Sequence, residues 1–235
     1  MKHAYDITSG ADQLKDYSVT FANNSFWMTL IAKTKLHLEV YVPASFDLVN
    51  TKNIRWIPSM NPFYDFVLYH NKVNEDRHPD PNSISPSAWI SHYACIGNEE
   101  LRYAKKGNEL VKMKHMGNVV IGDGVVVGPQ ASIARGTFGP TTIFNDVKID
   151  AGVHIGHNCR VGENTLIVEG TALLGSVSVG SGCFISGNAV LRNGISIASN
   201  TFIGMGAVVT KSIMEEGYSW IGNPAKRHKR WHGEI

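Results

Sequence analysis

The chain is short of cysteine. Its three, Cys95, Cys159 and Cys183, are odd in number and have no close-pair spacing, so neither a disulfide framework nor a thiolate zinc site is suggested. Long apolar runs are missing as well. Nothing approaches the roughly 20 residues of a membrane span, and the N-terminal MKHAYDITSGADQ has no apolar core of the signal-peptide kind, so we expect no membrane span and a cytoplasmic location. Excess charge is the third absence. A formal charge of +2 is too small to argue for nucleic acid as a partner, although KRHKR near the C-terminus concentrates positive charge locally. A hydrophobic content of 43% over 235 residues still suffices to bury a real core, in one large domain or two modest ones.

What the chain has is a period. From Ile143 an aliphatic residue falls at every sixth position: Ile143, Ile149, Ile155, Val161, Ile167, Leu173, Val179, Ile185, Leu191, Ile197, Ile203 and Val209. Two residues before each runs a second series of small or β-branched residues, among them Thr141, Val153, Cys159, Thr171, Cys183 and Ala207. Side chains alternate with period two along a strand, so both series share one inward face, and Cys159 and Cys183 read as small core fillers. Gly, Asn, Asp and Ser fill the intervals and suit tight turns. Short strand, turn, short strand with one inward face is a parallel β-helix. The period recurs at Ile84, Ile90 and Ile96 and at Ile121, Val127 and Ile133. Two interruptions separate these runs: residues 98–117, polar and basic, expected as a loop or short helix extruded from the coil, and the shorter 136–142.

This pattern, over about residues 84–213, resembles the hexapeptide-repeat acyltransferases. The resemblance implies a left-handed parallel β-helix with three hexads per coil, so that residues 18 apart stack and His157 lies beneath Gly175. The N-terminal residues lack the period. KLHLEVYVP (35–43) alternates like a strand, and Asn61 followed by Pro62 reads as an N-cap and first helical position. We therefore divide the chain into a small α/β domain (1–80), the β-helix (81–213) and a basic tail (214–235). In the first, YSVTFANNSFWMTLIAKTKLHLEVYVP followed by NPFYDF resembles the uridine-binding domain of the N-acyltransferases acting on UDP-3-O-acylglucosamine. That likeness assigns Phe21, Asn24 and Trp27 to a uracil; the residues alone read more readily with Phe21 and Trp27 as filling for a small core. In the tail, Gly-Asn-Pro-Ala-Lys (222–226) looks like the terminal motif of hexapeptide enzymes that use acyl-CoA. Lys226, Arg227 and Arg230 then become candidate contacts to coenzyme A, against the plainer reading of a solvated tail.

His157 stands where such repeats usually carry small residues. Amide formation from a thioester requires a proton acceptor for the attacking amine, and imidazole suits that task near neutral pH. The resemblance makes His157 the general base and Asp150, in the family's Asp-x6-His relation, its orienting partner. Gly175 matches the family's glycine beside the acyl chain, with a backbone N–H for the oxyanion. The family's second histidine is Gly194 here, and Asn193 beside it becomes a candidate substrate contact. That departure, and the lack of a helical C-terminal extension, favour acyl-CoA (acetyl-CoA) over acyl carrier protein as donor. HIGH (154–157) invites a metal, but a zinc site needs three converging imidazoles and His154 should point outward, so none is expected. The leading expectation is thus a homotrimeric N-acyltransferase acting on a UDP-linked amino sugar for a surface glycan. Its rivals are the lipid A enzyme with acyl carrier protein, a sugar O-acetyltransferase, and a noncatalytic β-helix scaffold.

Overall fold

The computed structural model describes residues 7–8, 14, 18–48 and 51–233. Most of MKHAYDITSGADQ, the stretch read above for a leader, lies outside them. The described residues fall into two compact units: residues 1–78 with 101–114, and residues 79–100 with 115–235.

The first unit is an all-parallel sheet in the order β1 (Ile7–Thr8), β2 (Ser18–Phe21), β3 (Leu38–Pro43), β4 (Ile54–Ser59), with two helices. β3 shows the alternation its sequence predicts, with Leu38, Val40 and Val42 fully buried. Helix α1 (Ser25–Ala32) begins at Asn24, whose side-chain oxygen accepts from the Trp27 N–H at 3.1 Å. Helix α2 (Pro62–Val73) begins as expected, with Asn61 accepting from the Tyr64 N–H at 3.2 Å and Pro62 in the first turn. The polar interruption contributes a β-hairpin, Tyr103–Lys106 paired with Glu109–Lys112. Gly107 sits at a φ of 58° in its turn. The expectation of a loop or short helix missed the alternation of YAKK and ELVK around a central Gly-Asn.

The second unit is the parallel β-helix. Two-to-four-residue strands stack into three flat faces, and each strand pairs in register with the strand one coil away: Lys148 with Leu166, His154 with Ala172, Arg160 with Ser178. Every member of the aliphatic series from Ile143 to Val209 is at most 3% exposed, with the second inward series buried beside it, whereas Ile84 in the first coil is 42% exposed. Each fully buried aliphatic contributes about 1.5–3 kcal/mol. Several polar members of that second series donate to the backbone of the next coil. Thr165 Oγ1 donates to the Gly180 carbonyl and Thr171 Oγ1 to that of Ser186, both at 3.0 Å. Cys159 and Cys183 use their thiols identically, toward Leu174 and Ala198 at 3.2 Å. The cysteines are core fillers as expected, and burial pushes their thiols up to about 12 and about 11.

The corners have a period of their own. The third residue after each aliphatic from Ile143 to Ile203 is left-handed: Asp146, Gly152, Asn158, Asn164, Gly170, Ser176, Gly182, Asn188, Gly194, Asn200 and Gly206 all have φ between 53° and 71°. Gly, Asn and Asp, the residues for which this conformation costs least, fill all but one of these places, and in the earlier run Gln130 adopts it at the same point after Val127, with φ 59°. At the C-terminal end Tyr218–Ile221 continues one face in parallel, and the basic segment Lys226–Arg230 folds back on it as an antiparallel strand.

Candidate functional site

His157 occupies the corner between the strands His154–Ile155 and Arg160–Val161, which belong to two different faces of the coil. Its ring is mostly enclosed, with 17% of the side chain exposed. Three neighbours determine its chemistry.

The first is Asn158. Its side-chain oxygen accepts from the Thr137 N–H at 3.0 Å and its Nδ2 donates to the Gly139 carbonyl at 3.2 Å, which settles which atom is oxygen. That oxygen lies 3.1 Å from His157 Nδ1, so Nδ1 carries the proton and Nε2 of the neutral ring carries the lone pair. The second is Gly175, stacked one coil away as the register expected. A β-carbon there would fall 2.7 Å from Cε1 and 2.8 Å from Cδ2 of His157, and nearer still to Nε2. Only glycine lets the backbone approach the ring this closely.

The third neighbour was not foreseen. Glu100 accepts the His157 backbone N–H on Oε2 at 2.9 Å and the His154 Nε2–H on Oε1 at 2.7 Å. The same Oε2 lies 3.9 Å from His157 Nε2. Burial pushes this carboxyl up, but the His154 hydrogen bond, the His157 N–H and the two imidazoles outweigh it and hold the carboxyl below its usual range. His115, fully buried, sets its ring edge-on to that of His157 with centroids 5.4 Å apart.

Asp150 is elsewhere. It lies at the preceding corner, where its Oδ1 accepts the Ala151 N–H at 2.7 Å. Seven residues carry the chain along one face and around a corner, so the pairing implied by the resemblance makes no contact within the chain. Asn193 does share the edge of His157 and Gly175, on an exposed turn two coils from the histidine. Glu100 escaped the sequence reading because it stands 57 positions before His157, inside an aperiodic interruption. Coil register held the available signal: strands Cys95–Asn98, Ser132–Ala134 and His154–Ile155 are consecutive neighbours on one face, so the chain leaving each turns at the same edge.

In the first unit, Phe21 ends β2 and packs on Phe63 and Phe66 of α2, with centroids 4.9 and 5.0 Å away. Trp27 meets Phe26 edge-on at 5.4 Å, and Asn24 spends its oxygen on the α1 cap. Arg227 reaches Glu215 at 2.7 Å and, with Arg230, lies over the Tyr218 ring, while Lys226 is exposed on its strand. Among the described residues, no group of three or more His, Cys, Asp or Glu is arranged to hold a metal ion. No helix among them is long and apolar enough to cross a membrane.

Residues 140–175, which include His157 and Gly175, match the family model described as bacterial transferase hexapeptide (six repeats). The chain resembles the hexapeptide-repeat acyltransferases. Relatives named UDP-3-O-acylglucosamine N-acyltransferase share 44% identity over 59% of the chain (Dechloromonas aromatica) and 38% over 60% (Caulobacter sp.). These matches span only 40% and 42% of those relatives' own lengths. Among solved structures, the UDP-N-acetylglucosamine acyltransferase of Francisella novicida superposes with a TM-score of 0.53 at 26% identity, covering 61% of this chain and 51% of its own. LpxA from Acinetobacter baumannii, at 20% identity, 65% and 73% coverage and a TM-score of 0.51, is alike in fold.

Proposed function

We propose that the chain is an N-acyltransferase that moves an acyl group from a thioester to the amine of a UDP-linked amino sugar, with His157 as general base. The observation that carries this is the pairing of a His157 Nε2 lone pair, oriented through Asn158, with the bare backbone of Gly175 packed directly against it. As the amine nitrogen attacks the thioester carbonyl carbon, its proton passes to Nε2. The C–S bond then breaks, and the same proton goes to the departing sulfur. The Gly175 N–H is the candidate donor to the oxyanion.

The relatives' names favour UDP-3-O-acylglucosamine as acceptor, nearer the lipid A reading than the short-acyl, acyl-CoA reading that led the sequence expectations. For the nucleotide, support comes from β2, β3 and β4 running parallel, because ligands of open parallel sheets bind outside the carboxyl ends of the strands. Phe21 and the N-terminus of α1 lie at that edge. Phe21, Asn24 and Trp27 remain the candidate uridine contacts, Asn193 a sugar contact, and Lys226, Arg227 and Arg230 the contacts to a phosphate-bearing donor arm. A homotrimer, in which neighbouring coils complete the site, belongs to the same proposal.

The test supplies the purified chain with acetyl-CoA or a hydroxyacyl-loaded acyl carrier protein, each with UDP-3-O-acylglucosamine or a UDP-amino sugar lacking the O-acyl group, and follows thiol release. Turnover should fall by about 10²–10⁴ in His157→Ala while UDP-sugar binding persists. Unchanged turnover in that variant would sink the assignment of the base.

A further inference from the structure

We infer that Glu100 is the positioning carboxylate of His157 and that His154 holds Glu100 in place, the role that the resemblance had given to Asp150. This rests on His157 being the base. The Glu100 carboxylate is fixed from two sides, by the His157 backbone N–H at 2.9 Å and by His154 Nε2–H at 2.7 Å, and its side chain is only 16% exposed. With both contacts made, Oε2 stands 3.9 Å from the nitrogen that becomes charged when the amine gives up its proton. A negative charge at that separation, in a site mostly closed to water, favours the imidazolium.

The other polar groups around it do not supply that charge. His115 presents a ring edge to His157. Arg135 spends its guanidinium on the carbonyls of Gly97 and Gly117 at 2.7 and 3.4 Å. The Cys159 thiol is kept protonated by burial, its pKa pushed up to about 12. Asp150 is at another corner, engaged with its own turn. Glu100 keeps its charge throughout the reaction and makes no bond to the reacting atoms, so its effect travels through His157. The His154–Glu100 bond gives a use to the first histidine of HIGH that requires no metal.

The experiment compares wild type with Glu100→Gln, which keeps the shape and removes the charge, and with His154→Gln, which loosens the carboxylate. In Glu100→Gln kcat should fall by about 10–100-fold and KM for the sugar should change by less than about threefold. The acid limb of kcat/KM should move about one unit lower. The NMR titration of the His157 ring should move down with it. His154→Gln should shift both in the same direction by a smaller amount, and it carries the test if Glu100→Gln fails to fold. An acid limb and a ring titration that stay at their wild-type positions would overturn the proposal, even with reduced turnover, because a purely structural role predicts that combination. Loss of turnover in His157→Ala beside an unmoved titration in Glu100→Gln would overturn the role of Glu100 and leave the base intact.

Discussion

Replacing Gly175 by alanine probes the site with a single methyl group. The backbone accepts the change, since Gly175 is not among the left-handed glycines. The imidazole does not. The new carbon would sit 2.7 Å from Cε1 and 2.8 Å from Cδ2 of His157, so the ring must retreat by roughly 1 Å to restore ordinary contact. Its retreat is constrained by the 3.1 Å bond from Nδ1 to Asn158 and by His115 edge-on beside it. Overpacking of this kind costs about 1–3 kcal/mol, which for a chain of this length lowers Tm by about 3–10 °C. The larger effect falls on catalysis, where a 1 Å displacement of a reacting group costs about 10²-fold. Thiol release at saturating donor and acceptor, with Tm measured in parallel, reads both quantities. Gly187→Ala is the control, because a β-carbon there meets nothing closer than the Glu169 carbonyl at 3.4 Å. If Gly175→Ala keeps activity within about threefold of that control, the space beside Nε2 is not where the thioester enters, and the reasoning from His157 fails.

Two further outcomes follow from the same geometry. Native protein should expose only Cys95 to a chromogenic disulfide near pH 8, with Cys159 and Cys183 reacting after unfolding, because both are buried and their thiols lie at about 12 and about 11. A second thiol reacting at the rate of Cys95 would contradict the packing. The folded protein holds Glu100 below its ordinary value of 4.5, so its contribution to stability is complete at neutral pH and disappears as pH falls through that depressed value. The Tm gap between wild type and Glu100→Gln should therefore be widest near neutrality and narrow steadily in acid, whereas a gap constant across that range would refute the electrostatic origin.

The coil was legible because its physics is local and repeated. A hexad sets one aliphatic residue inward and one left-handed residue at the corner, and both constraints leave a mark at every sixth position. Asn61 and Pro62 announced α2 for a similar reason, since a cap is satisfied within one turn. The asparagine of FANNSFW was harder to read. At Asn24 the residue type that suits a nucleobase edge is also the type that caps a helix, and the structure shows the cap. The partner of His157 was not legible from spacing. Asp150 was close in sequence yet a corner away, and Glu100 was distant in sequence yet adjacent in the stack, because in a solenoid proximity is counted in coils.

Residues 98–117 and 136–142 leave the coil at the same edge that carries His157, Gly175 and Asn193, while the hexads forming the other two edges run on without interruption from Ile143 to Val209. Variation is thereby confined to one seam. Changing the parts of those two excursions that lie outside the strands would alter what surrounds His157 and leave the hexads from Ile143 to Val209 untouched, so a lineage could vary the margin of this coil without rebuilding its body.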